Sequence, residues 1–191
     1  MRLLGTITPT RPLFVVAMEE EAAYLGDAFP VLLTGIGKIN ATAALATVLA
    51  RGEHPSEIVN LGTAGALRPG WSGTHQVAQV LQHDMDTPAL LALTGYRYGE
   101  ALSLGEAAGP TLATGDLFVS DPAARERLAQ TADLVDMEGY AVATIAQRAG
   151  VPVRLIKHVS DEAGAGAVQS WQQSVDGCAK ILAEWVHAQQ F

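Results

Sequence analysis

The sequence predicts an α/β protein of three layers with a mostly parallel central sheet. Two observations carry this: short apolar β-type runs alternate with helical ones, and Gly-rich turns separate them.

Taken in order, "LFVVA" (13–17) is an apolar strand. The "MEEEAAYL" after it begins a helix with acid in its first turn, where the macrodipole favours negative charge. "VLLTG" (31–35) is a second strand and 38–51 an Ala-rich helix. Further strands are expected at 57–62, 74–84, 111–120 and 151–161, with a brief apolar segment at 134–135. Helices are expected at 121–130, 137–149 and about 168–188. The last of these sets Trp171, Val175, Cys178, Leu182 and Trp185 on an i, i+3/i+4 stripe, the pattern of a core-facing helix. At 191 residues the chain suits one domain, 1–191, with a substantial core.

Twelve basic and twenty acidic side chains give a formal net charge of −8, and the basic ones are scattered. That excludes a nucleic-acid footprint and an anionic-membrane surface. The apolar runs are too short to span a bilayer. The opening "MRLLGTITPTRPLF" has no cleavable apolar core, so no export is expected. The single cysteine, Cys178, cannot form an internal disulfide, which fits a cytoplasmic protein; as a small apolar group it suits the buried side of the last helix.

In such a fold, ligands bind at the carboxyl ends of strands. There the sequence places Met18 to Glu21, "GIGK", "GTAGAL", "GDLFV", Asp136 and Glu138, and Ser160 with Asp161. Each also has a plainer reading. "GIGK" lacks the third Gly of a dinucleotide fingerprint and no P-loop occurs, so its glycines equally suit a tight turn. "MEEE" equally suits a solvated helix start. "QHDMD" (82–86), one His with two Asp, is a poor metal set, and no metal is expected. Glu138 is different: Val135, Met137, Ala141 and Val142 around it predict burial, and a buried carboxylate needs a partner.

"VVAMEEEAAYL", "LLTGIGKINATAAL", "IVNLGTAGAL", "TGDLFVS", "VDMEGYAVATIA" and "VSDEAG" follow one another in the order of the nucleoside phosphorylase/nucleosidase superfamily. The chain resembles its 5′-methylthioadenosine/S-adenosylhomocysteine nucleosidases most, from about residue 13 to 188. The resemblance implies an α/β/α sandwich, a homodimer, a purine nucleoside as small-molecule partner and no cofactor. It departs in one place: "MEEEAAYLGDAFP" runs straight into "VLLTGIG", without the two-strand excursion the family has there, so the sheet is expected to be trimmed at one edge.

Cleaving an N-glycosidic bond requires a proton for the leaving base, stabilisation of an oxocarbenium-like sugar, and a nucleophile. By resemblance Asp161, oriented by Ser160, protonates the purine, and Glu21 activates water beside Thr63. Glu138 grips the ribose hydroxyls, which suits an ionised carboxylate accepting from two donors. Met137 lies against the sugar, and Asp136 corresponds to a residue near the water. Phe118 stacks on the base and the backbone of Val119 bonds its edge; an Asp acid combined with backbone recognition favours adenine. Met18, Ile36 and Trp171 line the 5′-alkylthio pocket, Trp171 standing for the family's Phe; packing in the core is its other reading. A partner subunit adds residues near Thr87 and Leu90. Lys157 stands where the family has Arg near the water, keeping the charge without the planar fork.

Phosphorylases of the superfamily carry an Arg three residues before the Ser of their "GSCG"-type loop and another after the first strand. Asn60 and "MEEE" hold those places here, which favours water over phosphate. Arg68, close in sequence, keeps phosphorolysis as an alternative. A nucleosidase for another nucleoside such as futalosine, and a non-catalytic nucleoside-binding protein, are the others.

Overall fold

The computed structural model describes residues 1–105, 108–189 and 191. Its centre is a mixed sheet with the strand order β1-β3-β2-β4-β9-β8-β6-β7, to which β10 adds by pairing with β4 and with β5. In chain order the strands are β1 Arg2–Leu4, β2 Leu13–Val16, β3 Val31–Leu33, β4 Ile58–Ala66 and β5 Thr74–Gln76, then β6 Gln79–Gln82, β7 Leu102–Ser103, β8 Thr111–Thr114, β9 Leu134–Asp136 and β10 Val153–Asp161. The helices are α1 Glu19–Ala22, α2 Lys38–Leu49, α3 Thr87–Thr94, α4 Pro122–Leu128, α5 Gly139–Arg148 and α6 Ala167–Ala188.

β2 shows why these runs form a buried sheet. All four of its residues are buried; Leu13 and Val15 pack in the core beneath α2 and α5, while Phe14 and Val16 pack on the α6 side. A strand covered on both faces reads as an unbroken apolar run rather than an alternation. On the first side Ala41 and Ala44 of α2 share a core with Ala143 and Ala146 of α5. On the other, Leu182, Ala183 and Val186 of α6 meet Val59, Leu61 and Ile156. These are the three expected layers. The pairs β2–β3, β2–β4, β4–β10, β6–β8 and β8–β9 are parallel, and β1–β3, β4–β9, β5–β10 and β6–β7 antiparallel.

Several expected boundaries are corrected. The strand expected at 74–84 is two, because the run changes neighbours: β5 lies antiparallel to β10 and β6 parallel to β8. The strand expected at 111–120 stops at Thr114, where the His83 ring occupies the place a side chain on Gly115 would need. The strand expected to end at 62 continues to Ala66, held by its long parallel pairing with β10. The helix begun by "MEEE" is one turn, Glu19–Ala22. β1, β7 and α3 had no sequence expectation. β1 forms the edge beside β3, on the side where a trimmed sheet was expected.

One feature of β4 creates the site. Along one edge it pairs with β10 almost throughout; along the other, β2 covers residues up to Asn60 and β9 takes over only at Gly65. Between them, residues 61–64 turn their free edge to a cavity.

Candidate active site

The cavity encloses about 320 Å³ at the carboxyl ends of the parallel strands. The structure brings all twelve candidate residues to its wall: Met18 and Glu21 from after β2, Ile36 from after β3 and Thr63 from β4. Phe118 and Val119 come from after β8, and Met137 and Glu138 from after β9. Lys157, Ser160 and Asp161 come from β10, and Trp171 from α6. Asp136 lines it too.

Glu21 is buried, and its Oε1 accepts from the Thr63 backbone N–H at 2.8 Å and from Thr63 Oγ1 at 2.9 Å. That N–H is available because no strand pairs with β4 at this point on its open edge. Burial pushes the carboxyl above its ordinary value, against the lowering pull of the Thr63 donors and of Lys157. Thr63 Oγ1 in turn accepts from Trp171 Nε1 at 3.0 Å.

Lys157 is 1% exposed, and its Nζ bridges to Asp136 Oδ2 at 2.8 Å. Burial alone would lower its pKa, but Asp136 first and then Glu138 outweigh that and raise it, so the ammonium is firmly charged. Asp136 is saturated: Oδ1 accepts from Thr114 Oγ1, and Oδ2 also accepts the Gly139 N–H at 2.8 Å, at the start of α5. Glu138 accepts from the Gly37 N–H at 2.7 Å. Burial, then the neighbouring Asp136, pushes its carboxyl up to about 8. Gly37 reaches that position at φ +93°, a backbone that favours glycine, which explains the second Gly of "GIGK". Gly62 keeps the approach close: a side-chain carbon there would stand 3.3 Å from both Glu21 Oε1 and Lys157 Nζ, so one of them would have to give by a few tenths of an ångström.

Three buried acids, Glu21, Asp136 and Glu138, thus share one buried cation. Fully ionised they would leave an excess of two negative charges in a poorly solvated place, which disfavours the charged form of Glu138 in particular. A ligand that develops positive charge there is favoured.

Asp161 is half-buried at the end of β10. Its Oδ2 lies 2.8 Å from Ser160 Oγ, and its Oδ1 accepts from the Ala163 N–H at 2.8 Å. Ser160 Oγ also reaches the Ala64 carbonyl at 3.4 Å. Ser160 can therefore donate to the carboxylate, or accept from the carboxylic acid while donating to Ala64.

Sequence reasoning missed the supporting groups: Gly37's N–H, Thr114 and Gly139. Their signals were present, in the "GIGK" turn and in a Thr ending an apolar strand. Asn60, weighed only as the place of an absent Arg, lines the cavity; its Nδ2 donates to Val15 O at 2.9 Å, and its buried Oδ1 has no partner among the described residues. Arg68 does not line the cavity: its Nε donates to Ala129 O, and its Nη1 bridges to Asp133 at 3.2 Å. In "QHDMD", Asp84 pairs with Lys38 and Asp86 caps α3 through the Ala89 N–H at 3.0 Å. Among the described residues no group of three or more His, Cys, Asp or Glu is placed to hold a metal.

Residues 21–188 match the model of the phosphorylase superfamily. The 5′-methylthioadenosine/S-adenosylhomocysteine nucleosidase of Geobacillus thermodenitrificans is 31% identical over 184 residues, covering 82% of this chain and 76% of that one. The enzyme of the same name from Bacillus subtilis is 30% identical over 195 residues, covering 85% and 80%. Among solved structures, the Helicobacter pylori 5′-methylthioadenosine/S-adenosylhomocysteine nucleosidase superposes with a TM-score of 0.80 at 22% identity, covering 95% of this chain and 97% of that one. A futalosine hydrolase mutant of the same organism also gives 0.80 at 22%, covering 93% and 97%. These two establish a shared fold, and with the family match and the sequence relatives they make the chain a member of the phosphorylase superfamily.

Proposed function

We propose that this protein is a nucleosidase that hydrolyses the N-glycosidic bond of a 5′-thio-substituted adenine nucleoside, methylthioadenosine or S-adenosylhomocysteine. The observation that carries the reading is the convergence of Glu21, Glu138 and Asp161 on one cavity, each on a different element and each held by backbone N–H donors. The sequence relatives bearing that name support the substrate class.

Glu138 takes the ribose hydroxyls with Met137 against the sugar, and Phe118 and Val119 receive the base. Asp161 gives its proton to the departing purine with Ser160 as its partner. The C1–N bond breaks with its electron pair on the base. Glu21 takes a proton from the water that attacks C1, and the acids around Lys157 stabilise the cationic sugar. Met18, Ile36 and Trp171 form an apolar wall for the thioether.

Water is favoured over phosphate because Lys157 is the only cation lining the cavity among the described residues, and its ammonium is engaged by Asp136. A phosphate dianion would meet carboxylates with no free cation to hold it.

The residues of the site all stand on one sheet or on elements packed against it, which supports one domain over 1–191. A homodimer is supported by α3, which buries none of its residues and leaves Leu93, and Tyr96 just beyond its end, exposed. Thr87 and Leu90, expected near a partner's site, lie on that helix. A cytoplasmic location is supported by the one, unpaired cysteine; no helix among the described residues is long and apolar enough to cross a membrane.

The reading is tested by Asp161→Asn and Glu21→Gln. Each is expected to reduce adenine release from methylthioadenosine at least a hundredfold, the scale of general acid–base catalysis, with secondary structure unchanged by circular dichroism. Full activity in either variant would overturn its assigned role.

A further inference from the structure

Trp171 does more than fill space. Its Nε1 donates to Thr63 Oγ1 at 3.0 Å, and that hydroxyl lies 2.9 Å from Glu21 Oε1. An indole N–H can only donate, and a hydroxyl has a single proton. With Trp171 occupying an acceptor site of Thr63, the hydroxyl proton is directed to Glu21. We propose that Trp171 is a positioning residue for the reaction: acting through Thr63, its indole N–H fixes the Thr63 hydroxyl as a donor to Glu21 and so holds the water-activating carboxylate aimed and ready to accept a proton. The inference rests on the nucleosidase reading and on the base role of Glu21.

The chemistry gives this bond its purpose. Glu21 is buried and faces titratable groups from every element around it: Lys157 on β10, Asp136 on β9, Glu138 before α5, and the neutral Cys178 thiol on α6. Burial favours its protonated, inactive form, and the Thr63 donors oppose that. A hydroxyl free to rotate could accept from a protonated Glu21 instead of donating to the carboxylate. Accepting from Trp171 takes one of the hydroxyl's two lone pairs and polarises its O–H, which strengthens donation to Glu21 over that alternative. A phenylalanine in its place would preserve an aromatic wall but lose the donor.

The test is a double-mutant cycle of Trp171→Phe with Thr63→Val, with Thr63→Ser as the conservative control, read as kcat, KM and the pH dependence of kcat for methylthioadenosine. Trp171→Phe is expected to lower kcat about fivefold to tenfold, the scale of one neutral hydrogen bond. It should leave KM within about twofold and move the acid limb of the profile to higher pH. The same change should have no further effect in the Thr63→Val protein and its full effect in the Thr63→Ser protein. An equal loss in all three backgrounds, or no loss with an unmoved acid limb in the first, would overturn the proposal. A second readout needs no turnover. In nitrogen-15 NMR spectra, the indole proton resonance lost in Trp171→Phe is expected to shift upfield and exchange faster with solvent in Thr63→Val. An unchanged resonance would contradict the bond itself. Absence of base release by the unsubstituted protein would count against the nucleosidase reading, not against this hydrogen bond.

Discussion

Gly37 donates its backbone N–H to Glu138 Oε1 at 2.7 Å, tying the start of α2 to the start of α5 across 101 positions of sequence. The bond aims the carboxylate, and the positive end of the α2 dipole partly offsets its burial.

Glu138 is therefore poised to change protonation on binding. Its carboxyl, pushed up to about 8 by burial and by Asp136, holds a proton at neutral pH in the empty protein. Ribose hydroxyls are best accepted by the ionised form, so binding should release a proton at pH 7. Affinity should rise from pH 6 to pH 8. Titration calorimetry in buffers of different ionisation enthalpy measures the released proton, and Glu138→Gln is expected to abolish both the release and the pH dependence.

The same shift affects stability with a definite sign. An acid whose folded pKa lies above its unfolded value destabilises the fold as pH rises between the two. For Glu138 that window runs from its ordinary value of 4.5 to about 8. Raised Glu21 acts in the same direction. The unliganded protein should lose stability in urea unfolding as pH rises through this range, and Glu138→Gln should flatten the loss.

Lys157→Met leaves Asp136 buried with its Thr114 and Gly139 donors but no cation. Breaking a buried pair from one side costs about 3–5 kcal/mol. Asp136→Asn in the same chain should recover part of that, measured by denaturant unfolding.

Gly62→Ala places a methyl 3.3 Å from Glu21 Oε1 and Lys157 Nζ. Lys157 cannot move without leaving Asp136, so Glu21 must shift. Turnover should fall at least tenfold, since small misplacements of a catalytic group are costly, with little change in secondary structure by circular dichroism.

Much of this site could be read from the sequence because its residues follow strands, and strand ends are marked by Gly, hydroxyl and carboxylate groups such as those at 62–63 and 160–161. The burial of Glu138 was legible from its apolar neighbours. What was not legible depended on who pairs with whom. Nothing local separates β5 from β6, since only their partners differ. The open edge of β4 exists because β2 ends its pairing before β9 begins. The place of Trp171 on the α6 stripe was legible, but its turn to the cavity wall and its bond to Thr63 were not, because the sequence gives no distance between them. α3 was missed because an apolar helix without a buried face has no amphipathic pattern.

The proposed reaction uses water, not phosphate, to cleave a thio-substituted adenine nucleoside in this cavity. It is tested most directly by product analysis after incubating the purified protein with 5′-methylthioadenosine, with and without phosphate. Adenine and free methylthioribose are expected at the same rate in both. A rate that depends on phosphate, with a sugar 1-phosphate as product, would contradict it.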